Sequence, residues 1–460
     1  MKNPKIVSGF SKKSKRGKLR WLVENFFKHP EEVARELKSF WYGDPQKQKI
    51  FDEFSENTVT NFYMPYGVLP NLKINDEVYC VPMVIEESSV VAAASAAAKF
   101  WLNRGGFKTE ILATKKVGQV HFDWKGKRKT LEALMPKIKQ LIHTETSHIT
   151  ANMRKRGGGI LDIELLDMSD LEPNYFQLQM TFETCDSMGA NFINSVLEES
   201  ARSLKQFIGS QEQLPAEERE LTIIMAILSN YTPECLVRAS VECPIEELGN
   251  FCDGDMPAEE FARKFEKALN IARIDTYRAT THNKGIFNGI DAVVIATGND
   301  FRAVEACGHA YAARDGKYRS LSFAECKDGI FKFWLDIPLA VGTVGGLTAL
   351  HPMAKRSLEM LGQPSAEELM QIIAATGLAQ NFAAVRSLVT TGIQKGHMKM
   401  HLMNILNHLE ATEKEVKEAL VYFADKLVSF SSVREFIQLL RSTPEGMPLP
   451  LPIMIERKKS

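Results

Sequence analysis

The sequence predicts an α+β protein of two or three domains, in which a compact insert of split βαβ type interrupts a mainly helical body. Three observations predict it. At 460 residues the chain exceeds the size at which one hydrophobic core usually stops growing. Between residues 109 and 218, VGQVHFDW, ILDIELLD and YFQLQMTF read as strands, with polar helical stretches between and after them. Outside that interval, runs such as SSVVAAASAAAKFWLNRGG and PAEEFARKFEKALNIARI carry helix-forming residues at helical spacing.

In chain order, the basic run KKSKRGKLR at 12–20 reads as a solvated or frayed segment rather than a binding patch. Residues 56–87 alternate turn formers with short β-prone runs. They lead into the alanine-rich helix ended by Gly105 and Gly106, whose small side chains predict close approach and deep burial. Glu86 and Glu87 fall at the start of that helix, where acidic residues suit its dipole. ELTIIMAILSNYT at 220–232 returns to strand texture, and the helix at 257–274 carries proline in its first turn. THNKGIFNGI at 281–290 sets Lys284 among glycines and asparagines, so it reads as a tight loop. AVVIA at 292–296 reads as a strand, and Asp300 after it as a helix cap. VGTVGG at 341–346 marks a close-approach loop. Two helices are expected at 398–409 and 413–427, before a proline-rich tail at 444–453.

Formal net charge is zero, which gives no electrostatic reason to bind nucleic acid or an anionic membrane. No uninterrupted apolar run approaches the roughly 18 to 20 residues of a membrane span, and the first twenty residues hold no apolar core of signal-peptide type. Seven cysteines without a CxxC pair argue against a disulfide framework and against a zinc site. A reducing cytoplasm and no metal are the expectations.

The runs VPMVIEESSVVAAASAAAKF, THNKGIFNGIDAVVIATGND and GLAQNFAAVRSLVTTGIQKGHM resemble the class II 3-hydroxy-3-methylglutaryl-CoA reductases. DSMGANFIN at 186–194 is similar to that family's DAMGAN segment, and ILSN at 227–230 also fits. The likeness runs in order from roughly residue 50 to 405, far more specific than a short motif. Two segments depart from the pattern: ENTVT stands for the family's ENVIG, and DSMGAN for DAMGAN. Neither change removes an acid, base or cation.

The resemblance implies a large, mainly helical substrate-binding domain formed by 1–108 and 219–394. It also implies a small ferredoxin-like, non-Rossmann dinucleotide domain at 109–218, and a helical lid at 395–460. It implies Glu87 as the catalytic glutamate, Lys284 as the catalytic lysine, Asp300 as the aspartate that orients it, and His397 as the proton donor to the departing thiolate. Ser89, Arg278 and Asn288 are implied to contact the hydroxymethylglutaryl group. Asp186, Met188, Gly189 and Asn191 are implied to bind the dinucleotide at a helix start, where backbone N–H groups suit phosphate. A homodimer with shared active sites, assembling further into a hexamer, is implied as well. Several lysines and arginines between 12 and 20 could meet the coenzyme A phosphates.

The implied reaction is reduction of hydroxymethylglutaryl-CoA to mevalonate and coenzyme A, using two reduced nicotinamides. Thr150, Asn152 and Arg154 lie where the adenosine ribose is expected. No acidic residue occurs from Thr146 to Gly159, whereas Arg154, Lys155 and Arg156 sit together. A carboxylate there would repel a 2′-phosphate and a cation would accept it, so NADPH is expected, with NADH as the alternative. The same fold oxidising mevalonate with NAD, and a non-catalytic acyl-CoA-binding homologue, are the competing readings.

Overall fold

The computed structural model describes residues 5–390, 402–424, 426 and 428–442. The chain opens with three short helices, α1 (Lys15–Phe26), α2 (Pro30–Ser39) and α3 (Pro45–Asp52). The basic run is therefore not frayed. Ser14 caps α1 by accepting from the Gly17 amide, and Lys15 pairs with Asp52 at 2.5 Å while lying over the Trp41 ring.

A hairpin follows, β1 (Tyr66–Ile74) with β2 (Glu77–Val84). Its turn residues Asn75 and Asp76 both have positive φ, the geometry that matches strand twist in two-residue hairpins. The alanine-rich helix α4 (Val90–Leu102) buries Ala94, Ala97, Ala98 and Trp101. It starts later than expected: Ser89, at φ 80°, is its N-cap, and no acidic residue stands in its first turn. Glu86 and Glu87 belong to the turn before it, so the helix dipole does not account for them.

The first sheet orders β3 (Lys108–Ile111), β8 (Leu236–Pro244), β10 (Ile330–Pro338) and β9 (Ser322–Lys327) as β3-β8-β10-β9. The second contains β4 (Lys116–Trp124), β5 (Gly159–Asp167), β6 (Tyr175–Glu183) and β7 (Leu221–Ser229) in the order β5-β6-β4-β7. Helices α5 (Arg128–Glu145) and α6 (Ser147–Arg154) join β4 to β5, and α7 (Ala190–Gly209) joins β6 to β7. All pairings in both sheets are antiparallel. The second sheet has its own core around Val120, Phe122, Phe182, Leu197 and Leu204. Expected boundaries at 109 and 218 shift in consequence. Residues 108–111 pair with the first sheet, and β7 supplies the second sheet's fourth strand, so that unit runs from Lys116 to Ser229.

The larger core joins the first sheet and hairpin to α8 (Ala258–Ile274), α9 (Thr276–Ala296), α10 (Phe301–Ala312), α12 (Pro352–Met360) and α13 (Ala366–Val389), with α11 (Gly346–Leu350) preceding α12. Proline 257 is the N-cap of α8 rather than a first-turn residue. Helix α13 is long and apolar enough to cross a membrane, but 72% of its apolar window is buried inside the protein. A third core, around Leu406, Phe423 and Phe436, gathers α14 (residues 402–408), α15 (Glu413–Tyr422) and α16 (Phe430–Ser442).

The main correction concerns residues 281–296. They are neither a tight loop nor a strand; both THNKGIFNGI and AVVIA lie inside α9. Each supposed turn former has another task. Asn283 is fully buried, donating to the Arg319 carbonyl and accepting from the Leu321 amide. A Cβ on Gly289 would stand 2.8 Å from Gln380 Cβ and 2.9 Å from the Thr376 carbonyl of α13. Across the same crossing, a Cβ on Gly377 would meet Ile290 at 2.7 Å. Glycine is there so that two core helices can touch.

Candidate active site

Helix α9 begins at Asp275, whose carboxylate accepts from the Tyr277 amide, and carries Lys284 and Asn288 on one face, four residues apart. The turn between β2 and α4 brings Glu87 to that face. One carboxylate oxygen, Oε2 of Glu87, accepts from Lys284 Nζ at 2.6 Å and from Asn288 Nδ2 at 3.3 Å. The pair is open to solvent, with side-chain exposures of 59% for Lys284 and 39% for Glu87. An ion pair that exposed contributes little to stability. Its geometry leaves one cation and one carboxylate together where a ligand can reach them.

Asp300 is placed differently from expectation. It is the N-cap of α10, accepting from the Arg302 and Ala303 amides, and its carboxylate is gripped by the Arg302 guanidinium through two 3.0 Å contacts. Partial burial pushes its carboxyl up, but Arg302 and the helix amides outweigh that and hold it below the ordinary range. The carboxylate on Lys284 is Glu87, not Asp300.

Asp300 lines a cleft of 510 Å³ with Ser187, Met188, Gly189, Asn191, Gly298, Asn299, Gly342 and Gly345. Gly189, at φ 88°, is the N-cap of the long helix α7, so free backbone amides face this cleft. The strand-to-helix loop is held from both sides. Asp186 Oδ1 accepts from the Ala366 amide at the start of α13, and its carbonyl accepts from Thr343. A Cβ on Gly342 would lie 2.5 Å from the Met188 nitrogen, so the 341–346 segment does approach closely.

The basic turn lies beside this loop. Gly158 packs against the Glu183 carbonyl, where a Cβ would come to 2.5 Å, and Cys185 Sγ donates to the Arg156 carbonyl at 3.3 Å. Arg154, Lys155, Arg156 and Asn152 are exposed. Thr150 is not: it is 3% exposed and its hydroxyl donates to the Thr146 carbonyl within α6. Arg278, two turns before Lys284, is half-buried, and burial lowers its guanidinium from the ordinary value. The neighbouring His282 is pushed down to about 3, by complete burial and then by the Arg278 charge. Ser89 adopts left-handed backbone next to Glu87. His397 lies outside the described residues.

Lys116 escaped the sequence reading. It is 4% exposed, and its Nζ donates to Thr184 Oγ1 at 2.5 Å and to the Ser187 carbonyl at 3.3 Å, directly behind the 184–189 loop. The signal was present: Lys116 shares its strand face with Gly118, Val120 and Phe122, an inward position that seldom takes a lysine. Asn299 was also missed as a link, its Oδ1 accepting from the Gly342 amide at 2.8 Å.

Residues 20–402 match the profile of the family described as hydroxymethylglutaryl-coenzyme A reductase. The 3-hydroxy-3-methylglutaryl-coenzyme A reductase of Archaeoglobus fulgidus is 34% identical over 438 residues, covering 95% of each chain. A probable reductase of the same name from Borreliella burgdorferi is 31% identical over 426 residues, covering 93% of each. Among solved structures, the class II enzyme of Streptococcus pneumoniae bound to NADPH in open conformations aligns with a TM-score of 0.66 and 35% identity. That alignment covers 90% of this chain and 100% of that one.

Proposed function

The chain belongs to the hydroxymethylglutaryl-coenzyme A reductase family, and from that premise we propose that it reduces 3-hydroxy-3-methylglutaryl-CoA to mevalonate and coenzyme A, at a centre formed by Glu87, Lys284 and Asn288. It is an oxidoreductase of the mevalonate route. The observation that carries the assignment of the centre is the convergence of Lys284 and Asn288 on one oxygen of Glu87, from segments some 200 positions apart in sequence.

Reduced nicotinamide supplies the two hydride equivalents when bound. The chain's own residues manage charge and protons. Lys284 faces the thioester oxygen, where negative charge grows, and stabilises the transition state more than the ground state. Glu87 holds the amine in place as a carboxylate; in the second reduction it takes up a proton from solvent and passes it to the oxygen that becomes the alcohol. His397 protonates the thiolate as coenzyme A leaves, a task suited to an imidazole. Asp300, with Arg302 on its outer side, completes the polar wall, and Ser89 and Arg278 bind the hydroxymethylglutaryl group. The helices after His397 close over the ligands as a lid.

The unit from Lys116 to Ser229 holds the dinucleotide. The backbone amides around Met188, Gly189 and Asn191 at the start of α7, beside Asp186, would hold its pyrophosphate. Arg154, Lys155 and Arg156, exposed on the turn against Glu183 and Cys185, receive a 2′-phosphate. That favours NADPH. Thr150 supports the helix from inside, while Asn152 is free to meet the ribose. A second copy completes the site, and Phe62, Tyr63, Ile274 and Tyr277, each more than half exposed, are apolar side chains open for it to cover. All seven cysteines are unpaired, which fits a reducing cytoplasm.

Initial rates with hydroxymethylglutaryl-CoA and either NADPH or NADH test the reading. At least a tenfold preference for NADPH in kcat/KM, about 1.4 kcal/mol, is expected. A clear preference for NADH would overturn the cofactor assignment and favour mevalonate oxidation.

A further inference from the structure

Helix α9 carries a third polar residue on its Lys284–Asn288 stripe. Asp291 follows Asn288 by three positions and Lys284 by seven, which returns it to the same face. Its Oδ1 is closed to solvent and has no hydrogen-bond partner. The charged group that faces it is Glu305, on α10. Of the other charges nearby in the chain, Arg302 is turned onto Asp300 and Lys284 onto Glu87. Two carboxyl groups within hydrogen-bonding reach of each other, one of them with a buried oxygen, cannot both ionise without a large cost. Burial first, and then Glu305, push the Asp291 carboxyl up to about 8. The pair spans the two helices that present Lys284 and Asp300.

We propose that Asp291 and Glu305 share one proton and staple α9 to α10, as a positioning pair that fixes the Lys284 side chain relative to the Asp300 carboxylate. The proposal rests on the reductase reading for its role in turnover, but not for the staple itself. A shared proton makes a strong, short-range link; its loss leaves two like charges that push the helices apart. Because the folded-state value is raised above the ordinary 3.8, the folded chain keeps a proton that the unfolded chain has lost. Stability from this group is therefore complete below about pH 4, declines as pH rises to about 8, and is constant beyond.

The test uses the full-length protein with Asp291→Asn, Asp291→Ala and Glu305→Gln. An amide still bridges the helices but does not titrate. Asp291→Asn or Glu305→Gln should therefore keep kcat above the pH at which the wild type declines. Asp291→Ala should lose on the order of tenfold to a hundredfold in kcat, the scale of a misplaced reacting group, with KM for hydroxymethylglutaryl-CoA unchanged. Matching alkaline declines in wild type and both amide variants, or wild-type kcat in Asp291→Ala, would overturn the proposal. A wild type without reductase activity would instead sink the functional reading. The staple would then be judged by thermal midpoints of wild type and Asp291→Asn between pH 4 and 9. Divergence up to about pH 8, with the wild type falling, supports it; parallel curves contradict it.

Discussion

Lys284 shows what a single residue can reveal in sequence and what it hides. Its importance is readable in the family-like string THNKGIFNGI, but its setting is not. The asparagines and glycines around it read as turn formers, whereas in the fold Asn283 bridges two carbonyl–amide partners and Gly289 admits another helix. Local propensity was overridden by tertiary contact. The partner of Lys284 was equally invisible, because only the folded chain shows that Glu87 reaches it while Asp300 turns to Arg302. Residue-scale predictions follow from these placements. His397→Gln should cripple thioester reduction while leaving reduction of free mevaldehyde intact, since only the first needs a proton on a leaving thiolate; equal losses in parallel assays would mean a broader role. Lys116→Met should raise KM for NADPH far more than it changes KM for hydroxymethylglutaryl-CoA. Removing its Nζ leaves the Thr184 hydroxyl oxygen without the donor it accepts from, while the Ser187 carbonyl keeps only the Thr184 hydroxyl, at about 1–3 kcal/mol, or roughly five- to hundredfold in binding. An unchanged KM for NADPH would show that Lys116 is only a packing residue.

Elements with a clean period were legible, and those depending on distant partners were not. The strands at 116–124, 159–167 and 175–183 follow the expected runs closely. By contrast, β8, β9 and β10 were not recognised, although β8 and β10 alternate between buried and less buried residues along their length. Helix α13 is absent from the expected elements, although part of it lies in a family-like string. Its buried residues run almost all the way round, so it has no polar face to give it a period. The α9–α13 crossing is the joint on which the Lys284 face depends, and it tolerates no added carbon. Gly289→Val should destabilise the protein by about 1–3 kcal/mol or more through overpacking, visible as a lower thermal midpoint and a loss of kcat. A variant with the wild-type midpoint would show that the crossing has slack.

At the scale of the whole molecule, strand pairing crosses the joint expected at 218. Strand texture resumes at 220, and it was read as a return to the larger body; pairing of β7 with β4 assigns it to the insert instead. Strand partners cannot be read from composition, because any edge with the right alternation can pair. The corrected joint has a functional meaning. The loop at 184–189 is held by Lys116 from the insert and by the amides of Ala366 and Thr343 from the body, so the proposed dinucleotide site is built by both. The central claim is that this molecule uses Lys284, gripped by Glu87, to carry the charge of a two-step reduction. The most direct measurement counts NADPH oxidised and coenzyme A released with hydroxymethylglutaryl-CoA as substrate, for wild type and for folded Lys284→Ala. The expected result is two NADPH per coenzyme A in the wild type and a loss on the order of 10²- to 10³-fold or more in the variant. Near-normal turnover by Lys284→Ala, or one NADPH per coenzyme A in the wild type, would contradict it.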